Sequence, residues 1–311
     1  MDYLVTGGAG FIGSHLAEKL SAQGARVRVL DNFSTGKREN LANFLERIEL
    51  MEGDIADPEV CRVACRDVGV VLHEAALPSV PKSIADPISS HRANIQGTFN
   101  MLVAARDCGV KRFVCAASSS AYGETPALPK HEAMLPDPLS PYALQKLTGE
   151  SYCRVFTKCY GLQTLSLRYF NVFGPRQDPT SQYAAAIPAF VTAILKGTPP
   201  TIFGDGEQTR DFTFIDNVVQ ANLLAAQAQS ADGEVMNIAC GESVTVNAII
   251  REINALTGKN VAPKYVDSRP GDIKHSWADI SRAEKLIGYR PLVRFDEGLQ
   301  RAIDWYARNS A

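Results

Sequence analysis

A glycine-rich turn between a short apolar strand and an amphipathic helix constrains this chain more than any other feature. Residues 3–6 read as a strand, and Gly7, Gly10 and Gly13 follow with G-x-x-G-x-x-G spacing as a helix opens. Such a turn lets backbone approach a diphosphate, while the helix N-terminus offers unpaired N–H groups and the positive end of its dipole. The spacing differs by one residue from the G-x-G-x-x-G form, so the strand–turn–helix context carries the reading. Phe11 and Ile12 belong to the same expected contact surface.

Eighteen residues beyond Gly13, Asp31 ends the second strand. A carboxylate there grips the adenosine ribose hydroxyls and meets a 2′-phosphate with like charge, so NAD is expected rather than NADP. Lys37 and Arg38 stand close enough in sequence to soften that repulsion. Asn32, Phe33, Ser34, Thr35 and Gly36 are expected along the same ribose, and Asp54 with Ile55 at the adenine edge.

Strand-like runs at 3–6, 26–30, 48–51, 70–73, 112–116 and 163–167 alternate with helical patterns at 13–23, 58–65, 84–107 and 141–159. That alternation predicts an α/β fold with a doubly wound parallel sheet and its crevice at the carboxyl ends of the strands. After residue 170 the regularity weakens. Residues 1–170 are read as the dinucleotide-binding domain and 171–311 as mainly a smaller, interleaved substrate lobe. Runs at 212–215 and 235–238 look like further buried strands returning to the sheet.

Composition excludes several classes. A formal net charge of −2 lacks the basic footprint of a nucleic-acid binder. No apolar run approaches the roughly 20 residues that cross a bilayer, and the N-terminus lacks a signal-peptide pattern, so a cytoplasmic protein without membrane partners is expected. The seven cysteines form no C-x-x-C pair, which predicts reduced, packed thiols and no bound metal.

The chemistry concentrates in two places. Tyr142 and Lys146 are spaced i, i+4 just inside a helix that starts near Pro141, so phenol and ammonium share one face. An ammonium beside a phenol favours the phenolate, which makes Tyr142 a candidate base. At the end of the fifth strand, Ser118, Ser119 and Ser120 bring hydroxyls towards the same crevice, although serine-rich turns are often turn chemistry alone.

The stretches TGGAGFIGSH, DNFSTGK, HEAA at 73–76, ASSSAYGE, SPYALQK and RYFNVFGPRQDP together resemble the extended short-chain dehydrogenase/reductases, in their NAD-dependent sugar-nucleotide epimerase/dehydratase branch. LPSVPKSIADP at 77–87, RQDPTSQYAAAIP at 176–188 and RPGDIKHSWAD at 269–279 are most similar to bacterial UDP-N-acetylglucosamine and UDP-glucose 4-epimerases. The resemblance implies a catalytic set of Tyr142, Lys146 and a serine that falls on Ser118 or Ser119. It implies further cofactor contacts at Ala75, Ala76, Asn94 and Tyr169. On the UDP-sugar side it implies Ser79, Ser119, Ser120, Asn171, the backbone of Ala186 and Ile187, Arg210, Arg269 and Asp272. Ser276 falls where a large residue restricts the pocket and a small one admits an N-acetyl group. The helices at 84–107 and 141–159 correspond to a homodimer interface in that branch.

Inverting an unactivated carbinol carbon is difficult by displacement, whereas removing and returning a hydride on NAD achieves it. The run 118–121 offers no carboxylic acid that would protonate a second leaving group, which favours epimerase over dehydratase. A UDP-glucuronate 4-epimerase and a non-catalytic dinucleotide sensor are the alternative readings; a sensor does not require Ser118, Tyr142 and Lys146 together.

Overall fold

In the computed structural model, which describes residues 1–179, 186–230, 232–268 and 274–309, strands and helices alternate through the first half of the chain. In order they are β1 (Tyr3–Thr6), α1 (Phe11–Ala22), β2 (Val27–Asp31), β3 (Ile48–Glu52), α2 (Pro58–Ala64), β4 (Val70–His73), α3 (Val80–Ala85), α4 (Pro87–His91), α5 (Gly97–Asp107), β5 (Arg112–Ser118), α6 (Pro141–Tyr160) and β6 (Gln163–Tyr169). There follow β7 (Val172–Phe173), α7 (Ala186–Leu195), β8 (Thr201–Phe203), β9 (Thr209–Arg210), β10 (Thr213–Phe214), α8 (Ile215–Gln227), β11 (Glu234–Ile238), β12 (Val244–Thr245), α9 (Val246–Thr257), β13 (Lys264–Val266), α10 (Ser281–Ile287) and α11 (Phe295–Asn309).

Seven strands form one sheet in the order β3-β2-β1-β4-β5-β6-β11, and every pairing is parallel. The strand order reverses between β1 and β4, which is where a doubly wound sheet opens its ligand crevice. Both faces are buried, as a parallel sheet requires. Consecutive strand residues serve opposite layers. Val5, Val29, Leu72 and Val114 pack with α1 and α8, while Leu4, Leu30, Val71 and Phe113 pack with α2, α5 and α6. The seventh strand, β11, comes from beyond residue 170, so the second half of the chain completes the sheet of the first. Among the described residues no helix is long and apolar enough to cross a membrane.

The helical pattern expected over 84–107 is broken into pieces. Ser79 caps α3, its Oγ accepting from Lys82 N–H at 3.3 Å, and Asp86 then caps α4 by accepting from Ser89 N–H at 3.0 Å. Pro87 at the start of α4 cannot continue the preceding helix, so a new one begins there. A π-turn over Arg92–Gln96 joins α4 to α5. The apolar run at 212–215 yields only the two-residue β10, because Ile215 already opens α8.

Helix α6 has clear local causes. Ser140 Oγ accepts from Ala143 N–H at 3.1 Å, Pro141 occupies the first turn, and Gly161 ends the helix in a left-handed conformation at φ 73°. A buried bidentate pair locks it to the sheet: Arg168 Nε and Nη2 donate to Glu150 Oε1 and Oε2 at 2.8 and 2.7 Å. The Arg168 guanidinium also lies 4.6 Å from the centre of the Tyr122 ring. Removing one partner of such a pair strands the other charge in the interior, which outweighs the net worth of the pair itself. Arg168→Met is therefore expected to lower unfolding free energy by about 3 kcal/mol, read from the urea midpoint; a change below about 1 kcal/mol would show that α6 is held by packing alone.

Candidate active site

A cleft of about 760 Å³ opens where β1 and β4 diverge. Glycine makes it possible. A Cβ on Gly13 would stand 2.2 Å from Gly7 O, and one on Gly7, which adopts φ +66°, would stand 2.7 Å from Ala75 Cα. Gly10 precedes α1 without any side-chain cap, so the first N–H groups of that helix are presented to the cleft. Gly7, Gly10, Phe11, Ile12 and Gly13 line it together with Asp31, Asn32, Ser34 and Thr35, and Asp54, Ile55, Ala75 and Ala76 close its far wall.

Three expected cofactor residues lie behind that lining. Phe33 packs its ring against the core beneath Arg38, at 4.1 Å. Gly36 lets the loop pass over Asp31, where a Cβ would meet both carboxylate oxygens at 2.9 Å. Asn94, in the π-turn, is buried and grips the backbone of Leu77, accepting from its N–H at 2.8 Å and donating to its carbonyl at 3.3 Å. Leu77 in turn lines the cleft.

Asp31 is oriented by two backbone N–H groups, Ala9 to Oδ2 and Phe33 to Oδ1, both at 2.8 Å. The cations that follow it have carboxylate partners: Lys37 Nζ pairs with Asp178 at 3.1 Å, both at the cleft, and Arg38 with Glu52. A second phosphate beside Asp31 would thus meet a carboxylate whose neighbouring cations already have partners.

Tyr142 and Lys146 project from the first turns of α6 into the same cleft. Lys146 Nζ donates to Ala116 O at 2.7 Å, fastening the ammonium to the end of β5, and Tyr142 N–H donates to Ser83 Oγ at 3.1 Å. Ala116 and Ala117 line the cleft, and Ser118, Ser119 and Ser120 follow directly, all half-buried. Ser118 Oγ accepts from Ser120 N–H at 3.2 Å and from Ser120 Oγ at 2.9 Å, so its own proton can be offered to a substrate oxygen. Tyr169, aligned with Ser118 across β5 and β6, donates its hydroxyl to Glu74 Oε1 at 2.7 Å and accepts from Asn222 Nδ2 at 2.8 Å.

His73 shows how a buried polar chain supports the lining. Thr98 Oγ1 donates to Asn94 O at 2.8 Å, so it accepts from His73 Nε2–H at 3.0 Å. Nδ1 then accepts from the Thr6 hydroxyl at 2.8 Å. Burial, with the Lys146 ammonium adding to it, pushes the imidazole down to about 3 and keeps it neutral.

The residues expected on the sugar-nucleotide side divide. Ser79 lines the cleft. Asn171 lies between two lining residues, Tyr169 and Val172, and donates to Asp211 O at 2.9 Å. Arg210 Nη1 donates to Thr209 O at 2.8 Å, and Ser276 N–H donates to that same carbonyl at 3.1 Å, so these two are neighbours. Ala186 and Ile187 open α7, with the Ile187 side chain buried in the core and only backbone available to a ligand. Arg269 and Asp272 lie outside the described residues.

Among the cleft residues that escaped the sequence reading, Glu74 and Arg176 carry charge. Glu74 sits inside the HEAA motif, where alanines drew the attention. Arg176, within the RYFNVFGPRQDP stretch, reaches back to α1, pairing with Glu18 and donating to Ser14 Oγ at 3.3 Å. A cation at the opening of α1 is a second positive feature for a diphosphate. Among the described residues no cluster of His, Cys, Asp or Glu could hold a metal ion, and all seven cysteines are free.

Comparison with known proteins agrees with this geometry. The sequence model of the NAD dependent epimerase/dehydratase family matches residues 3–239. A putative UDP-glucose 4-epimerase of Methanocaldococcus jannaschii is 38% identical over 309 residues, 99% of either chain. Among solved structures, the UDP-N-acetylglucosamine 4-epimerase of Methanobrevibacter ruminantium, in complex with UDP-N-acetylmuramic acid, superposes with a TM-score of 0.95 at 41% identity, covering 99% of this chain and 98% of that one. The Thermus thermophilus UDP-glucose 4-epimerase in complex with NAD gives a TM-score of 0.90 at 37% identity over all of both chains.

Burial pushes the Glu74 carboxyl up to about 7, against the pull of the Tyr169 hydroxyl and the Lys146 ammonium. Between its ordinary value of 4.5 and about 7 the folded protein keeps a proton that the unfolded chain has lost, so this group withdraws stability as pH rises through that window. Glu74→Gln is expected to gain stability over wild type progressively from about pH 5 to about pH 7, measured by urea denaturation. An identical pH profile for the two proteins would exclude that titration.

Proposed function

This chain belongs to the NAD dependent epimerase/dehydratase family, with NAD as its cofactor, and we propose that it inverts C4 of a UDP-linked hexose, interconverting UDP-GlcNAc with UDP-GalNAc and UDP-Glc with UDP-Gal. One observation carries the reading. Tyr142 and the anchored Lys146 share a single cleft with the glycine turn and the end of β5.

The cleft fits NAD: its floor is backbone that no Cβ could occupy, its rim bears the uncapped start of α1, and Asp31 stands at the ribose end. NAD, when bound, supplies a hydride acceptor that can also give the hydride back. Tyr142 takes the proton of the sugar 4-hydroxyl, and the Lys146 ammonium stabilises the phenolate as that proton moves. Ser118 donates its hydroxyl to the reacting oxygen, which orients it towards Tyr142. The 4-keto sugar then turns over in the pocket and is reduced on its other face, with Tyr142 returning the proton. No carboxylate occurs between Ser118 and Ala121, the run that follows β5, which favours epimerisation over elimination of water.

The relatives named above bear the names UDP-N-acetylglucosamine 4-epimerase, UDP-glucose 4-epimerase and putative UDP-glucose 4-epimerase. Ser276, half-buried beside Arg210, is the small residue type that suits a site admitting an acetamido group. A homodimer goes with this reading. α4 leaves Ile88 81% exposed, and α6 carries Leu144 and Val155 along one exposed stripe, 52% and 46% exposed, an apolar face suited to a second copy. A cytoplasmic location accords with the free thiols.

Incubated with each UDP-sugar, including UDP-glucuronate, the enzyme is expected to form the C4 epimer of the four named substrates by proton NMR without net NADH. Tyr142→Phe should lower kcat at least about 100-fold, and Ser276→Tyr should abolish turnover of the N-acetyl pair alone. A dehydrated product, turnover surviving Tyr142→Phe, or equal loss on both pairs in Ser276→Tyr would contradict these assignments. Light scattering should return twice the 33.8 kDa chain mass, and Leu144→Glu should halve it; a monomeric wild type refutes the interface.

A further inference from the structure

Immediately after Arg210, in the short link from β9 to β10, stands a carboxylate that no solvent reaches. Asp211 is 0% exposed. Its hydrogen bonds all come from backbone: Oδ1 accepts from Cys240 N–H at 2.9 Å, and Oδ2 accepts from Gly241 N–H at 3.0 Å and Ala278 N–H at 3.2 Å. Its own carbonyl accepts from Asn171 Nδ2 at 2.9 Å. One residue thus joins the exit of β6, the exit of β11 and the run at 274–279, which are remote in sequence.

The run at 274–279 is gripped from its other side as well. Lys130 N–H donates to Trp277 O at 2.8 Å, and Lys130 O accepts from Asp279 N–H at 2.9 Å. A buried carboxylate is costly, and burial pushes this one up to about 7 despite its three amide donors. An apolar residue would fill the space without that cost. What the carboxylate adds is a fixed geometry for three N–H groups at once.

We propose that Asp211 is the positioning residue of the sugar-nucleotide side of the site, holding Asn171, Arg210 and Ser276 in register with one another while touching no substrate itself. The inference rests on the UDP-sugar reading above. Ser276 N–H meets Thr209 O, and Ala278, two residues on, is fastened to Asp211, so the carboxylate anchors one end of the run that carries Ser276. Arg210 departs from the residue adjoining that anchor, and Asn171 is tied to its carbonyl. The glycine turn, α1 and Asp31 lie outside this network, so the groups expected to grip the diphosphate and ribose of NAD are not anchored by Asp211.

The test uses the full-length, NAD-loaded enzyme. Asp211→Asn keeps the shape but turns an N–H towards at least one of the three donors. KM for UDP-GlcNAc should rise about tenfold or more and the affinity for UDP, by calorimetry, should fall in parallel, with kcat changing less than about threefold and bound NAD unchanged. Hydrogen exchange at Cys240, Gly241 and Ala278 should accelerate. Asp211→Ser, whose short rotatable hydroxyl cannot accept from all three amides at once, should shift KM in the same direction. Wild-type KM and UDP affinity in both variants would overturn the proposal, as would a fall in kcat at constant KM or failure of both variants to fold. A wild-type enzyme that neither binds UDP nor turns over a UDP-sugar would strike the parent reading first, and the positioning role would fall with it.

Discussion

The approach of Gly13 to Gly7 is the constraint from which the site follows. With 2.2 Å between an added Cβ and a carbonyl oxygen, no L side chain fits, and with 2.7 Å between a Cβ added to Gly7 and Ala75 Cα the chain leaving β4 presses on the same turn. Only that closeness lets α1 begin at Phe11 with its first N–H groups facing the crevice. A larger residue would push α1 away from β1 and separate the helix terminus from the place where strand order reverses. The cleft is therefore a property of backbone packing first and of side chains second.

On the opposite wall, catalytic geometry is inherited from the attachment of α6. The Glu150–Arg168 pair sits two turns beyond Tyr142 and is almost wholly buried, while Lys146 is fastened to Ala116 O in between. Exposed pairs such as Arg26–Asp2 and Arg290–Glu284 are screened by solvent and contribute little. They can vary without consequence for the site. The buried pair cannot, because it sets where along β5 and β6 the phenol and ammonium project.

Much of this was legible in the amino-acid order because the signals are local. Glycine spacing, a serine run at a strand end and a Tyr–Lys pair one helical turn apart need only the periodicity of a strand or a helix. All seven strands of the sheet were visible as apolar runs for the same reason, β1 and β4 to the residue and β11 within one residue. The helical pattern at 84–107 was overstated, since Asp86–Pro87 restarts the helix and apolar periodicity does not register a cap. Asn94 reads as a ligand contact, whereas its side chain grips the Leu77 backbone behind the lining, and Glu74, Arg176 and Asp211 went unassigned. Their partners, Tyr169, Glu18, Cys240 and Ala278, lie from 29 to 158 residues away, and spacing along a chain carries no trace of such contacts.

The seventh strand has a consequence for how the protein is made. A nascent chain that has emerged only to the end of β6 exposes an unpaired row of peptide groups along Gln163–Tyr169, an edge open to pairing with another chain. That edge closes once Glu234–Ile238 has left the ribosome, and the Tyr169 hydroxyl gains its Asn222 partner from α8 shortly before. Vectorial synthesis thus delays maturation of the nucleotide crevice until three quarters of the polypeptide exists, and a fragment cut at residue 170 would be born with a sticky flank.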